Sequence, residues 1–207
     1  NEKVDLSNLN RQVIHKTSSI GRSKVKSAID SASAINPGIR FLPYSKKLTK
    51  SNAISVISKY DIVADGSDNF YTRYLINDSC YFLKKTLVSA AILAFDAQIF
   101  TFKPKGPCYR CIFSAPPKED LIPSCVEGGV LGSIAGVAGT IQATEVVKEL
   151  LGIGKGLSSS LMIFDGLNQE FTKIKIKNDP KCELCGKNPK IKKIDIYVHK
   201  LVLYTSY

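Results

Sequence analysis

Two Cys-x-x-Cys pairs restrict the fold of this chain more than any other feature of its sequence. The first pair is Cys108 and Cys111, and the second is Cys182 and Cys185. Thiolate pairs at this internal spacing are typical of a structural zinc site, in which four sulfur atoms surround one ion. The alternatives are a redox dithiol or two unrelated pairs. We expect zinc, and therefore a fold that joins two segments far apart in the chain.

The composition favours a soluble globular protein located in the cytoplasm. Hydrophobic residues make up 44% of the 207 positions, and no apolar run reaches the length of about 18 residues that spans a membrane. The six cysteines accompany no secretory signal, which favours a reducing compartment. We expect no membrane partner.

The charge of the chain favours an anionic partner. The formal net charge is +11 at pH 7, and a basic surface attracts nucleotides, nucleic acids and acidic proteins. The alternative is a lysine-rich composition without functional meaning. The basic residues are not interleaved with aromatic residues as in nucleic-acid binders, so we do not expect nucleic acid as a partner. A basic zinc protein that binds nucleic acid stays as an alternative class, which the charge alone supports.

Strand and helix patterns alternate along the chain and predict an α/β fold. Strand–helix–strand succession implies parallel βαβ units. We expect one domain over 1–207, with a Rossmann-like, mostly parallel sheet, helices on both faces, and antiparallel C-terminal strands around the second cysteine pair. The helices are expected at 21–35, 52–59, 70–83 and 130–151, and the strands at 39–43, 61–65, 87–91, 96–102, 161–165, 170–177 and 191–203.

Three glycines leave one face of the helix expected at 130–151 without side chains. They are Gly132, Gly136 and Gly139. We expect another segment to pack closely against this face, and packing of the helix on the sheet is the simplest case.

A polar turn follows the strand expected at 61–65. It reads Asp65-Gly-Ser-Asp68-Asn69, and Arg73 lies one helical turn later. A carboxylate at the carboxyl end of a parallel strand lies where α/β sheets bind their ligands. Asp68 is therefore a candidate ligand for Mg²⁺, and Arg73 a candidate to orient the ion or a phosphate. The alternative is that Asp68 only caps the helix that begins near Phe70.

A second group of polar candidates lies near the start of the chain. Arg11 and Lys24 are cations of the kind that neutralise the charge on a phosphoryl group during its transfer. Asn8 and Gln12 are candidate hydrogen-bond donors beside them. The alternative is a solvated loop followed by an exposed basic helix.

Six motifs, taken together and in this order, resemble one family. The chain is similar to the ThiF/MoeB/HesA group of ubiquitin-activating-enzyme-like adenylyltransferases from Asn1 to about Gly186. The motifs are Asp5–Gln12, Asp65–Arg73, Cys108–Cys111, Cys125–Gly132, Gly139–Glu145 and Cys182–Cys185.

The resemblance implies a reaction and its partners. The C-terminal Gly-Gly carboxylate of a small ubiquitin-like sulfur carrier would attack the α-phosphate of Mg-ATP, for molybdopterin or thiamine biosynthesis. A homodimer is implied, as is a sulfurtransferase or cysteine desulfurase that supplies the sulfur. Asp68 would be the Mg²⁺-associated carboxylate, and Arg11 and Lys24 would contact the phosphates. The remaining residues implied for the ATP site are Asn8, Gln12, Asn69 and Arg73.

The resemblance leaves two cysteines outside the zinc set. Cys125 matches a position at which some family members form a covalent sulfur link to the carrier. It precedes a glycine-rich segment and an expected helix N-terminus, which favours a reactive thiolate. The alternative for Cys125 is an inert thiol. Cys80, within the helix expected at 70–83, is expected in the core.

The sequence departs from the family pattern at its start. The family opens with a strand and a Gly-x-Gly-Gly-x-Gly loop, and no such loop precedes Asn1. We expect the domain to lack this strand and loop, and the 207-residue chain to bind ATP poorly or not at all. The alternative function is a truncated, non-catalytic module that binds the carrier protein.

Overall fold

A mixed β-sheet with helices on both faces forms the centre of the molecule. The structure is a computed structural model, and it describes residues 2–116 and 129–194. Cys125 therefore lies outside the described residues. The helices of eight or more residues are α1 (Lys24–Ile35), α3 (Phe70–Leu83) and α4 (Gly132–Leu151), and α2 (Ala53–Ile57) is shorter; the strands are β1 (Ile62–Asp65), β2 (Thr86–Leu93), β3 (Asp96–Phe102), β4 (Ser160–Asp165) and β5 (Glu170–Lys175).

Within the described ranges the sheet has five strands in the order β1-β2-β3-β4-β5. Strands β1 and β2 are parallel and are joined by α3, which confirms the βαβ unit. The other three pairs are antiparallel, so the antiparallel part of the sheet is larger than the sequence predicted. Its first pair is a hairpin, because only two residues separate β2 from β3 and a parallel crossover needs a dozen or more.

The two faces of the sheet carry different helices, as the sequence predicted. Leu87 and Phe100 point to the face that α3 covers, and they share a buried cluster with Cys80. Ala90 and Ile99 point to the opposite face, which α4 covers. This alternation follows from the period of two along a strand. The prediction that Cys80 is a core residue is confirmed.

Two predicted strands differ from the structure. Residues 39–43 have no regular structure; Ile39 and Leu42 are about half exposed, and Pro43 has no amide hydrogen to donate to a neighbouring strand. Residues 191–194 are also not a strand, and 195–203 lie outside the described residues. Ile191 packs on the cysteine pairs and Ile194 near α2 and α3, so their apolar character reflects those contacts.

The glycines of α4 have two different surroundings. A Cβ atom on Gly132 would collide with the main-chain carbonyl of Asn10, so the expected close packing is confirmed there. The same atom on Gly136 or Gly139 would meet nothing within 4 Å among the described residues, so close packing is not observed within this part of the chain at these two positions. No helix in the described part of the chain is long and apolar enough to cross a membrane.

Candidate functional site

The two cysteine pairs come together into one cluster. The four Sγ atoms of Cys108, Cys111, Cys182 and Cys185 all lie within 4.8 Å of one another. The Sγ atoms of Cys111 and Cys185 are 3.2 Å apart, and those of Cys108 and Cys182 are 3.7 Å apart. Four thiolates at such separations can surround one ion, and a set of soft sulfur ligands suits zinc. Four protein ligands fill a tetrahedral shell, which is typical of a structural metal.

A buried ion pair, which the sequence did not reveal, fixes the first cysteine pair to α3. The Arg110 side chain donates to both carboxylate oxygens of Asp78 at 3.0–3.2 Å, and the exposed fractions of the two side chains are 6% and 0%. The amide of Tyr109 donates to Asn77 at 2.9 Å. Burial raises the pKa of Asp78 to about 6, although Arg110 opposes this shift. The signal in the sequence was a run of three polar residues, Asn77, Asp78 and Ser79, between the apolar residues Ile76 and Cys80 of a predicted helix.

The turn after β1 is held by its own side chains. The Asp65 carboxylate is buried and accepts from the Ser67 amide at 2.9 Å and from the Ser89 hydroxyl at 3.0 Å. Asn69 is the N-cap of α3, because its side-chain oxygen accepts from the Thr72 amide at 2.9 Å. The alternative in which Asp68 caps this helix is therefore wrong. Asp68 is exposed, and its carboxylate accepts one 3.4 Å hydrogen bond, from Asn69.

Arg73 holds this turn and acts on the segment of the first cysteine pair through its charge. Its guanidinium donates to the main-chain carbonyl of Ser67. Its positive charge also acts on Tyr109, which lies between Cys108 and Cys111 in the sequence. Burial raises the pKa of Tyr109, and Arg73 opposes this shift. The side chain of Arg73 is therefore engaged in holding the turn.

The polar residues near the chain start form a compact local structure. The amide of Asp5 donates to the Asn8 side chain at 3.0 Å, in a capping box. Arg11 donates to the Ser7 carbonyl at 3.2 Å. The amide of Gln12 donates to the Asn8 carbonyl at 2.8 Å. Asn8 is buried, so it contributes to the loop that carries Arg11 rather than to an open surface.

Lys24 begins α1 and pairs with a carboxylate on the surface. Its Nζ atom lies 2.6 Å from Glu2, and the Glu2 side chain is 72% exposed. The Lys24 side chain itself is 23% exposed, so this ion pair lies at the edge of the surface. No ion pair joins Asp68 to Arg11, Lys24 or Arg73 within 2–116 and 129–194. The structure thus brings Asp68, Asn69 and Arg73 together on one turn and does not join them directly to the other candidates.

Helix α4 contacts both groups of candidates. Gly132 touches Asn10, next to Arg11. The Gln142 side-chain amide donates to the main-chain carbonyls of Asp65 at 2.8 Å and Val88 at 2.9 Å. The sequence motif contained Gln142, but its role was not apparent from the sequence.

Glu145, one helical turn after the half-buried Gln142, is a buried polar residue of α4. Its carboxylate accepts from the Leu157 amide at 2.6 Å, the Thr101 hydroxyl at 3.1 Å and Lys148 at 2.5 Å. Burial alone would raise the pKa of Glu145, but these donors together lower it. The spacing of three between Gln142 and Glu145 places both on the side of α4 that faces the sheet.

The comparison with protein families gives the decisive match. The model of the ThiF family matches residues 1–184. The chain belongs to the ThiF family. The six motifs of the sequence lie almost entirely within the matched part, and the resemblance inferred from them is confirmed.

Curated relatives of this ThiF-family chain carry related names. It is 42% identical over 194 residues to the sulfur carrier protein adenylyltransferase of Thermus thermophilus, and the aligned part covers 91% of this chain and 72% of that protein. It is also 42% identical over 196 residues to the adenylyltransferase and sulfurtransferase MOCS3 of Sus scrofa, covering 94% of this chain and 43% of the relative. The chain thus spans less than half the length of the second protein.

Solved structures confirm the fold. The structure of E. coli MccB with MccA-N7isoASN superposes with a TM-score of 0.76 at 17% identity, covering 90% of this chain and 58% of that one. The structure of E. coli MccB with ATP gives a TM-score of 0.74 at 18% identity. At this identity the likeness concerns the fold alone.

Proposed function

We propose that this ThiF-family chain carries the adenylation site of an enzyme that activates a small ubiquitin-like sulfur carrier. The observation that carries the proposal is the 42% identity, over 91% of the chain, to a protein named sulfur carrier protein adenylyltransferase. The exposed Asp68 at the carboxyl end of β1 supports it, because ligands of α/β sheets bind at this edge. The non-catalytic module is not favoured, since both curated relatives above are named adenylyltransferases.

The proposed reaction joins the carrier to AMP. An oxygen of the carrier's C-terminal Gly-Gly carboxylate bonds to the α-phosphorus of ATP, the bond from that phosphorus to the β-phosphate bridging oxygen breaks, and pyrophosphate leaves. The product is an acyl-adenylate whose carbonyl carbon accepts sulfur. Both reactants are anions, so charge neutralisation and alignment account for most of the required rate enhancement.

Each candidate residue has a proposed part in this reaction. The Asp68 carboxylate suits Mg²⁺, an ion that prefers oxygen ligands and that would neutralise charge on the phosphates when bound. Arg11 and Lys24 contact the phosphates. Asn8 and Gln12 shape the loop that carries Arg11, while Asn69 and Arg73 hold the turn that carries Asp68; these last four assignments rest on their hydrogen bonds.

Further parts of the proposal concern the metal, the remaining cysteine and the partners. A structural zinc ion occupies the four-cysteine cluster, and Cys125 handles sulfur covalently. Alkylation of Cys125 that leaves adenylate formation and sulfur transfer intact would exclude that role. The protein is a cytoplasmic homodimer with a single domain over 1–207, and it receives sulfur from a sulfurtransferase or cysteine desulfurase. The carrier belongs to molybdopterin or thiamine biosynthesis.

Carrier-dependent exchange of pyrophosphate into ATP tests the proposed reaction. We expect the full-length gene product to catalyse the exchange with a Gly-Gly-ended carrier, and D68N to lose at least about 10²-fold of the rate. Asp61, at the opposite end of β1 and also exposed, provides the matched control. We expect D61N to keep the wild-type rate. Full exchange activity in D68N would exclude the proposed role of Asp68, and no exchange in the wild type would exclude the reaction.

A further inference from the structure

We infer that Gln142 of α4 is a positioning residue for the proposed adenylation site, an inference that rests on the proposed function. Its side-chain amide donates to two main-chain carbonyls of neighbouring strands, that of Asp65 at 2.8 Å and that of Val88 at 2.9 Å. Asp65 is the last residue of β1, and it lies opposite Ser89 in the final register pair with β2. Gln142 therefore holds the sheet at the point where the parallel ladder ends.

The position of this contact relates it to Asp68. The chain from Asp65 to Asn69 is a short turn, and three contacts fix its first residue and its middle. The Asp65 carboxylate accepts from the Ser67 amide, Arg73 of α3 donates to the Ser67 carbonyl, and Gln142 binds the main chain of Asp65 from the other face of the sheet. Asp68, by contrast, is exposed, and within 2–116 and 129–194 its carboxylate accepts only a 3.4 Å hydrogen bond from its neighbour. The location of its carboxylate is therefore set by the turn, not by contacts of its own.

The chemistry of glutamine suits this role. An amide nitrogen carries two hydrogens, so one side chain can serve two carbonyl acceptors without introducing a charge. A displacement of about 1 Å at a catalytic group can lower a rate by about 10²-fold. Loss of the two hydrogen bonds at the base of the turn therefore affects the alignment of Asp68 more than it affects the fold.

Three variants of α4 separate this role from general stabilisation. Q142M keeps the length of the side chain and removes its donor. E145Q weakens a buried contact one helical turn away, where the partners are Thr101 and Leu157 instead of the turn. T140V, on the exposed side of the helix, removes a hydroxyl that, among the described residues, bonds to the carbonyls of Gly136 and Val137 in α4 itself.

The experiment uses the full-length gene product and measures pyrophosphate exchange per folded molecule, with kcat and KM for ATP determined separately, and amide hydrogen exchange at Ser67. We expect Q142M to lower kcat by about tenfold to 10²-fold and to speed exchange of the Ser67 amide, while E145Q and T140V keep kcat and that amide's protection. Equal losses of kcat in Q142M and E145Q would overturn the inference, as would wild-type kcat in Q142M or its failure to fold. Absence of pyrophosphate exchange in the wild type would instead reject the proposed function. The amide hydrogen exchange of Ser67 would still decide whether Gln142 holds the turn.

Discussion

Removal of Arg110 should destabilise the protein by far more than removal of an exposed cation near the same cysteine cluster. In R110M the Asp78 carboxylate, whose side chain is 0% exposed, loses the guanidinium that donates to both of its oxygens. Breaking a buried pair in this way costs about 3–5 kcal/mol, because a charge is left without its partner. The guanidinium also lies 4.6 Å from the centre of the Tyr74 ring, and loss of that contact adds about 0.5–1 kcal/mol.

The free energy of unfolding in urea, measured near neutral pH with excess zinc, tests this prediction. K190M is the matched control, because it breaks a pair between Lys190 and Glu183 in which the side chains are 78% and 44% exposed. We expect K190M to cost about 0–1 kcal/mol. D78N combined with R110M should recover part of the loss, since no charge is then buried, and the double-mutant cycle gives the coupling energy of the pair.

The dependence of this loss on pH provides a second check. Burial already raises the pKa of Asp78 to about 6 with Arg110 present. Because Arg110 opposes this shift, removal of Arg110 raises the folded-state pKa of Asp78 further. Protonation of Asp78 then stabilises folded R110M, so the deficit of R110M relative to K190M is largest above the raised folded-state pKa. It shrinks as the pH falls from that value to about 6, and it is constant below about 6, where Asp78 is protonated in folded K190M as well. The reasoning is refuted if R110M and K190M lose the same free energy, or if their difference does not change with pH.

Three further predictions concern the cap of α3, the buried acid of α4 and the metal. N69A should cost about 1 kcal/mol in urea unfolding through loss of the cap, while D68A should cost almost nothing, since Asp68 is not the cap; the reverse order would contradict the hydrogen bonding at this turn. The donors around Glu145 lower its folded-state pKa below 4.5, so the stability that it contributes is present above 4.5 and is lost as the pH falls through the folded-state value. E145Q should therefore flatten the acid side of the stability profile, and an unchanged profile would rule out this contribution. Elemental analysis should find one zinc ion per chain, and C182S should lower both the zinc content and the melting temperature; a metal-free wild type of unchanged melting temperature would exclude a structural role.

Local patterns predicted those parts of the fold that local physics determines. Helix α3 has the predicted bounds, because Asn69 caps its start and Lys84 ends it in a left-handed conformation with φ of 53°. The strand predicted at 39–43 was wrong, since an apolar run forms a strand only where a neighbour can pair with it. The size of the antiparallel part of the sheet also depended on how the strands pair. Only two residues separate β2 from β3, and so short a connection makes this pair antiparallel.

The candidate site was predicted in part. The four cysteines were found because their spacing is local within each pair, and the cluster confirms that they meet. The sequence could not show that Asn69 and not Asp68 caps the helix, because both side chains are good N-caps. The extended backbone conformation of Asn69 makes that residue the cap. The contacts of Arg110 with Asp78 and of Gln142 with Asp65 join residues from different elements, so no periodicity in the sequence reveals them.

The cysteine cluster has a consequence for the order of events during synthesis. The first pair leaves the ribosome before β4 and β5 have been made, and the second pair follows only after them. A zinc ion bound by the first pair alone has only half of its ligands, so its full affinity waits until nearly the whole described chain has emerged. Completion of a metal site at this cluster would therefore be a late step of maturation. A nascent chain that stops before Cys182 lacks two of the four cysteines, however complete its sheet has become.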